Sequence, residues 1–310
     1  MPEKFVPLGE QDEAQIAQKL REIGDDDAAL VYETPESLGS AAAESFFGAP
    51  RAWLNTQHQY GFMPRFEGSG RYQPIVAANQ APVDLGLKNQ RINLKLDYLC
   101  VHDYPRPLIS LGDNVHTILF TFEAFNNLPG KREAVAFNQT YRAKSGQDAA
   151  VQGYPIFVGL GVGSDGLVFY CNTVNIGNSS DEQLISTLDS KTAKMGLSLL
   201  TTAQPALAPF VGFAKSLGAW LASRSKNVPV QEFSLGLDFD EGAPGGRLAI
   251  GSYVVAQVER ADSIYWPDWG FDKETGAIVR TSLAEGEAPY ILPYNAIVFR
   301  VSLYEGIPDA

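Results

Sequence analysis

The chain has 310 residues, 45% apolar and 19% charged, which excludes the apolar-poor, charge-rich balance of a disordered chain. A chain this long hides roughly three quarters of its unfolded surface, so its core needs no disulfide or metal staple. Its net charge of −12 excludes a nucleic-acid partner, because backbone binding depends on a basic face.

The N-terminus carries Glu3, Glu10, Asp12 and Glu13 and lacks the charged-then-apolar pattern of a secretory leader. No run reaches the ~18 apolar residues of a membrane span, so a cytoplasmic protein is expected. Residues 11–23 place Ile16, Leu20 and Ile23 at helical spacing before Gly24, which predicts a short amphipathic helix. A second is expected at 36–47. From there to residue 90 the periodicity is lost, and Trp53, Tyr60, Phe62, Phe66 and Tyr72 stand among Gly, Pro and Asn. Large aromatics are costly to leave in water. Residues 1–90 therefore read as a helical and irregular arm, packed on the body or on a neighbouring subunit, and self-association or another protein partner is expected.

From residue 91 the texture is that of strands. RINLKLDYLCV alternates Ile92, Leu94 and Leu96 with polar residues, HTILFTFEAF does the same, and YPIFVGLGVGSDGLVFYCNTVNI reads as a hairpin turning at Asp165-Gly166. Residues 181–226 then read as a helical insert. Ser180 and Gln183 suit a capping box ahead of Leu184, Leu188, Met195 and Leu199, while 205–226 is apolar on most sides apart from Lys215 and Arg224. Strands return in VQEFSLGLDF, RLAIGSYVVAQV, GAIVRTSL and AIVFRVSLY. The expected fold class is α+β, mainly antiparallel β: a β-sandwich-like domain over 91–310, with the helical insert and the N-terminal arm.

Several constellations could carry chemistry. Gly161, Gly163 and Gly166 spell G-x-G-x-x-G, but a strand follows where a dinucleotide fold needs a helix. Asp97 and Asp103, with Asp238 and Asp240 at the end of a later strand, are candidate calcium ligands, since hard cations need oxygens converging from loops. No other cofactor is expected. The further acids Asp268, Asp272 and Glu274 stand among Tyr265, Trp266, Trp269 and Phe271, a combination that can stack on sugars or cap a core. Cys100 and His102 are two apart on a predicted strand and so share a face, which makes them candidates for a thiolate and its base. The plain reading of Cys100 and Cys171 is two buried thiols; facing strands could also pair them.

Three functions follow. The leading expectation is a non-enzymatic binding or assembly protein. A membrane-interacting protein, calcium-dependent through its acidic loops, is the second. A hydrolase using Cys100 and His102 is the third.

Overall fold

The computed structural model describes residues 5–33, 51–65, 69–105, 115–144, 147–149, 153–182, 197–198, 217–240, 245–282 and 290–306. Its first helix, α1 (Glu13–Glu22), starts where Asp12 accepts from the Gln15 amide and Gln15 reaches back to the Asp12 amide, a complete capping box. It buries Ile16, Ala17 and Leu20. The second, α2 (Asp26–Glu33), packs against it. The helix expected at 36–47 lies outside the described residues.

The strands, in chain order, are β1 (Gln57–Pro64), β2 (Tyr72–Pro74), β3 (Val76–Ala77), β4 (Arg91–Val101), β5 (Val115–Leu128), β6 (Lys131–Lys144), β7 (Gln147–Ala149) and β8 (Tyr154–Gly161). They continue with β9 (Gly166–Ile176), β10 (Leu197–Ser198), β11 (Val228–Asp238), β12 (Gly246–Arg247), β13 (Gly251–Val258), β14 (Trp269–Asp272), β15 (Ala277–Arg280) and β16 (Ala296–Leu303). A large sheet runs β10-β8-β4-β16-β13-β1-β3, with β7 paired to β4; a second runs β12-β11-β9-β5-β6; a small third runs β15-β14-β2. All pairings are antiparallel except β10 with β8 and β12 with β11.

The sandwich follows from the alternation. Ile92, Leu94 and Leu96 of β4 face inward, and so do Phe120 and Phe122 of β5 and Leu167, Phe169 and Cys171 of β9, all in one apolar cluster. Phe299 of the large sheet and Phe122 and Phe169 of the second sheet meet in tilted and edge-on ring contacts with centroids 5.3–5.6 Å apart, geometries that aromatic quadrupoles favour. The outer face of the large sheet is apolar over half its length. There Tyr98, Val254, Ala256, Ala296 and Val298 lie under Ile264, Trp266 and Ile278 from the small sheet and its approach. On the outer face of the second sheet, Leu119, Val174 and Ile176 are covered by Phe5 and by Leu217 and Leu221 of the short helix at 217–222.

The architecture is the expected mainly antiparallel α+β fold, with three local differences. First, Gln57–Pro64 belongs to no irregular arm: β1 pairs with β13 along all eight of its residues, and Trp53 and Phe62 are buried in the main core. The aromatics that suggested self-association are used within the chain, Tyr60 packing on Phe233 and Tyr72 lying under Arg71; Phe66 lies outside the described residues. Second, β8 and β9 form no hairpin. They belong to different sheets, and residues 162–165 cross between them. Gly161 is required at that crossing because a Cβ there would lie 2.0 Å from the Asn127 carbonyl oxygen. Third, helix begins at residue 179 with Asn178, not Ser180, accepting from the Ser180 amide.

Most of the helical insert, including Leu184, Leu188, Met195, Leu199 and Lys215, lies outside the described residues. Its two flanks are held together by Asp181, 1% exposed, which accepts from Arg224 Nε and from Asn227 Nδ2 at 2.8 Å. Asn227 in turn accepts from the amides of Gly177 and Asn178.

Candidate functional site

The inward run of β4 changes phase at Asp97. Leu96 pairs with Phe299 and Tyr98 with Val298, so Asp97 is the extra residue of a β-bulge. Beyond it Leu99 and Val101 face the sandwich interior, while Tyr98 and Cys100 face the small sheet. The bulge also places the Asp97 carboxylate against its neighbouring strand, where it accepts from Arg300 Nε at 2.7 Å and from Ser252 Oγ at 3.3 Å.

Arg300 lies in a cross-strand row on the outer face of the large sheet, Met63–Ser252–Arg300–Lys95, each residue registered with the next. Here the small sheet no longer covers the surface and the side chains turn polar. A cleft of about 670 Å³ opens over this half of the sheet, within the range of sites for small organic molecules. It is lined by Asn93, Ser252, Arg300 and Ser302, with Arg65, Gln73 and Lys273. Three of its fifteen lining residues are basic and only Glu305 is acidic, in a chain whose net charge is −12. With Asp97 bonded to Arg300, the basic residues still outnumber the acidic ones at the cleft.

Arg300 is half exposed, and an ion pair in that setting contributes ~0–1 kcal/mol to stability. Its consequence is geometric. A guanidinium has five N–H donors; Asp97 engages the Nε side, and the terminal nitrogens make no hydrogen bond among the described residues. Asp97 Oδ1 is buried and makes none among the described residues either.

The proposed calcium set is not assembled. Asp97 is engaged by a cation. Asp103 accepts from the Ala52 amide at 3.0 Å, and Asp238 accepts from the Asp240 amide in a local turn at the end of β11, in the other sheet. Among the described residues no three His, Cys, Asp or Glu side chains converge as metal ligands. The later acids are matched by arginines: Asp268 by Arg280, and Asp272 and Glu274 by Arg71. Arg71 holds the Asp272 carboxyl down at about 2, against the opposing effect of its burial. The aromatics beside them form no sugar platform. Trp266 is buried, Trp269 and Phe271 pack against the same cluster, and only Tyr265 is exposed.

The Cys100–His102 pair is likewise not formed. Cys100 is buried under the small sheet; β4 ends at Val101, and His102 is exposed in the bend that follows. Cys171 faces the sandwich interior, with burial pushing its thiol well above the ordinary range. Among the described residues neither cysteine is in a disulfide.

A second polar concentration fastens the end of the sandwich. Asn295 exchanges hydrogen bonds with the backbone of Asp103 and donates to Gln257, while Tyr104 meets Thr173 and Gln231. Beside it on β1, His58 packs on Phe233 with its Nε2 buried. Burial pulls His58 down to about 4, only weakly opposed by the neighbouring Gln231. Between its unfolded value near 6.5 and about 4 the unfolded chain therefore binds the proton and the folded chain does not. Stability contributed by neutral His58 is full above that window and declines as pH falls through it, by about 2–3 kcal/mol at the lower end. Urea unfolding at pH 7 and 4.5 should show a smaller loss for His58→Leu than for the wild type; equal losses would contradict the assignment.

No helix among the described residues is long and apolar enough to cross a membrane. Fold and cleft together define a layered antiparallel β protein with a polar, locally basic cleft on one open sheet face. No known protein family matches this chain, and neither a curated protein nor a solved structure is significantly similar to it. Function has to be read from the cleft.

Proposed function

We propose that the chain is a non-enzymatic binding protein and that the cleft on the open half of the large sheet is where its ligand sits. The observation that carries this reading is Arg300, anchored through Nε to Asp97 while its terminal nitrogens make no hydrogen bond among the described residues. Arginines held in this way are arranged in advance, so little freedom is lost when a partner binds. Arg300 and Asp97 lie on strands rather than on loops, and strands hold such a geometry most rigidly. Ser252 and Arg300, registered across neighbouring strands, offer hydrogen bonds and charge without a paired nucleophile and base, which suits recognition rather than bond breaking.

The test is thermal unfolding against a panel of small organic acids, amines, alcohols and sugars. A ligand at a hundred times its Kd stabilises the folded state by about 2.7 kcal/mol. At least one class should raise the melting temperature of the wild type and leave Ser302→Trp, which fills the cleft, unmoved. A panel without effect, or equal shifts in both proteins, would contradict the reading.

A further inference from the structure

We infer that the cleft takes its ligand by a doubly charged, phosphate-like oxyanion seated between Arg300, Ser302 and Asn93. This rests on the reading of the cleft as the ligand site. Val301 faces the sandwich interior, so Arg300 and Ser302, on either side of it in β16, share the opposite, outer face. Ser302 is registered with Asn93 of β4, and both line the cleft together with Arg300. Each of the three brings a donor. With Nε turned to Asp97 at 2.7 Å, the terminal nitrogens of Arg300 form a planar fork. Asn93 accepts from the Gly159 amide through Oδ1 at 3.2 Å, which makes its Nδ2 the remaining, donating end. The Ser302 hydroxyl is the third donor. Arg65 and Lys273 add positive charge, while Asp97 is engaged by Arg300 and Glu305 is the one acid lining the cleft among the described residues. A cation would meet three bases here, and a neutral ligand would leave the fork without an oxyanion. A carboxylate fills the fork with both of its oxygens and brings a single charge. A phosphoryl group carries about −1.5 to −2 charge at pH 7 and has three terminal oxygens, so it takes the fork and still offers an acceptor to Ser302 or Asn93.

The experiment is calorimetric titration of the full chain with inorganic phosphate, glycerol 3-phosphate, acetate and glycerol, on the wild type and on Arg300→Gln, Arg300→Lys and Ser302→Trp. Circular dichroism and urea midpoints identify any variant that fails to fold. The phosphates should bind the wild type, with acetate roughly tenfold weaker and glycerol without effect. A tighter ester identifies a phosphorylated small molecule as the ligand; equal or tighter binding of the inorganic ion identifies free phosphate. Arg300→Gln should weaken the phosphates roughly tenfold or more, while Arg300→Lys, which keeps the charge and loses the fork, falls between; Ser302→Trp should abolish binding and decides the matter if the arginine variants do not fold. Acetate binding as tightly as the phosphates would overturn the double charge. Phosphate binding that survives Arg300→Gln or Ser302→Trp unchanged would overturn the seat. If neither phosphate binds, the oxyanion falls; an amine, alcohol or sugar whose effect is lost in Ser302→Trp would then leave the cleft standing as the ligand site, and a silent panel would bring down both conclusions.

Discussion

Phe299→Ala should destabilise the protein by about 3–5 kcal/mol, the usual cost of emptying a buried aromatic site. Phe299 is fully buried, and its ring lies within 5.5–5.6 Å, centroid to centroid, of Phe122, Phe169 and Tyr253. Two of those rings belong to the second sheet and one to its own, so the truncation opens a cavity at the seam between the two layers. The neighbours are themselves rings held by other rings and cannot collapse into it cheaply. In urea unfolding the midpoint should fall with the slope unchanged, while Tyr170→Ala, at a 45% exposed position on the outer face of the second sheet, should stay within about 0.5 kcal/mol. A loss below about 1 kcal/mol for Phe299→Ala would mean that the sheets do not meet there.

Gln257→Leu should cost about 3–4 kcal/mol although the side chain keeps its bulk. The Gln257 amide lies within hydrogen-bonding distance of the carbonyls of Asn55 at 2.6 Å, Val230 at 3.1 Å and Trp53 at 3.3 Å, and its oxygen accepts from Asn295 at 3.0 Å. Two N–H groups serve three carbonyls, so one is shared. This one side chain ties β13 to β11 in the facing sheet and to the segment that leads into β1. Leucine fills the space and leaves buried acceptors and the Asn295 amide unmatched, at about 1–3 kcal/mol for each orphaned group, partly offset by the apolar gain. Chemical denaturation of the variant measures this directly. Near-neutral behaviour would show that the polar groups reach water and that this end of the sandwich is open.

What could be read in the sequence, and what could not, divides along physical lines. β4, β11 and β16 were visible because alternation has a period of two and each strand has one face in the core. β1 was hidden. Its Gly61 sits where a Cβ would come within 2.9 Å of Ile75 Cγ2 and 3.0 Å of the Trp266 ring, so packing demands a residue that strand propensity disfavours. The crossing from β8 to β9 looked like a hairpin because a turn at Asp-Gly is read locally, whereas the choice between one sheet and two is made by partners far along the chain.

The candidate site was half legible. Asp97 stood out as an acid in a strand, but as a metal ligand; its partner Arg300 is 203 residues away, and only the register of β4 against β16 brings them together. Alternation also put Cys100 and His102 on one face. A bulge that no residue announces reversed the phase at Asp97 and turned Cys100 away from the main core, and the strand ended before His102.

The most direct measurement is a crystal structure of the protein grown with whichever ligand class of the panel raises its melting temperature. The account predicts that ligand in the cleft, on the terminal nitrogens of Arg300, with the Asp97–Arg300 pair intact. A ligand bound elsewhere, with the cleft empty, would contradict it.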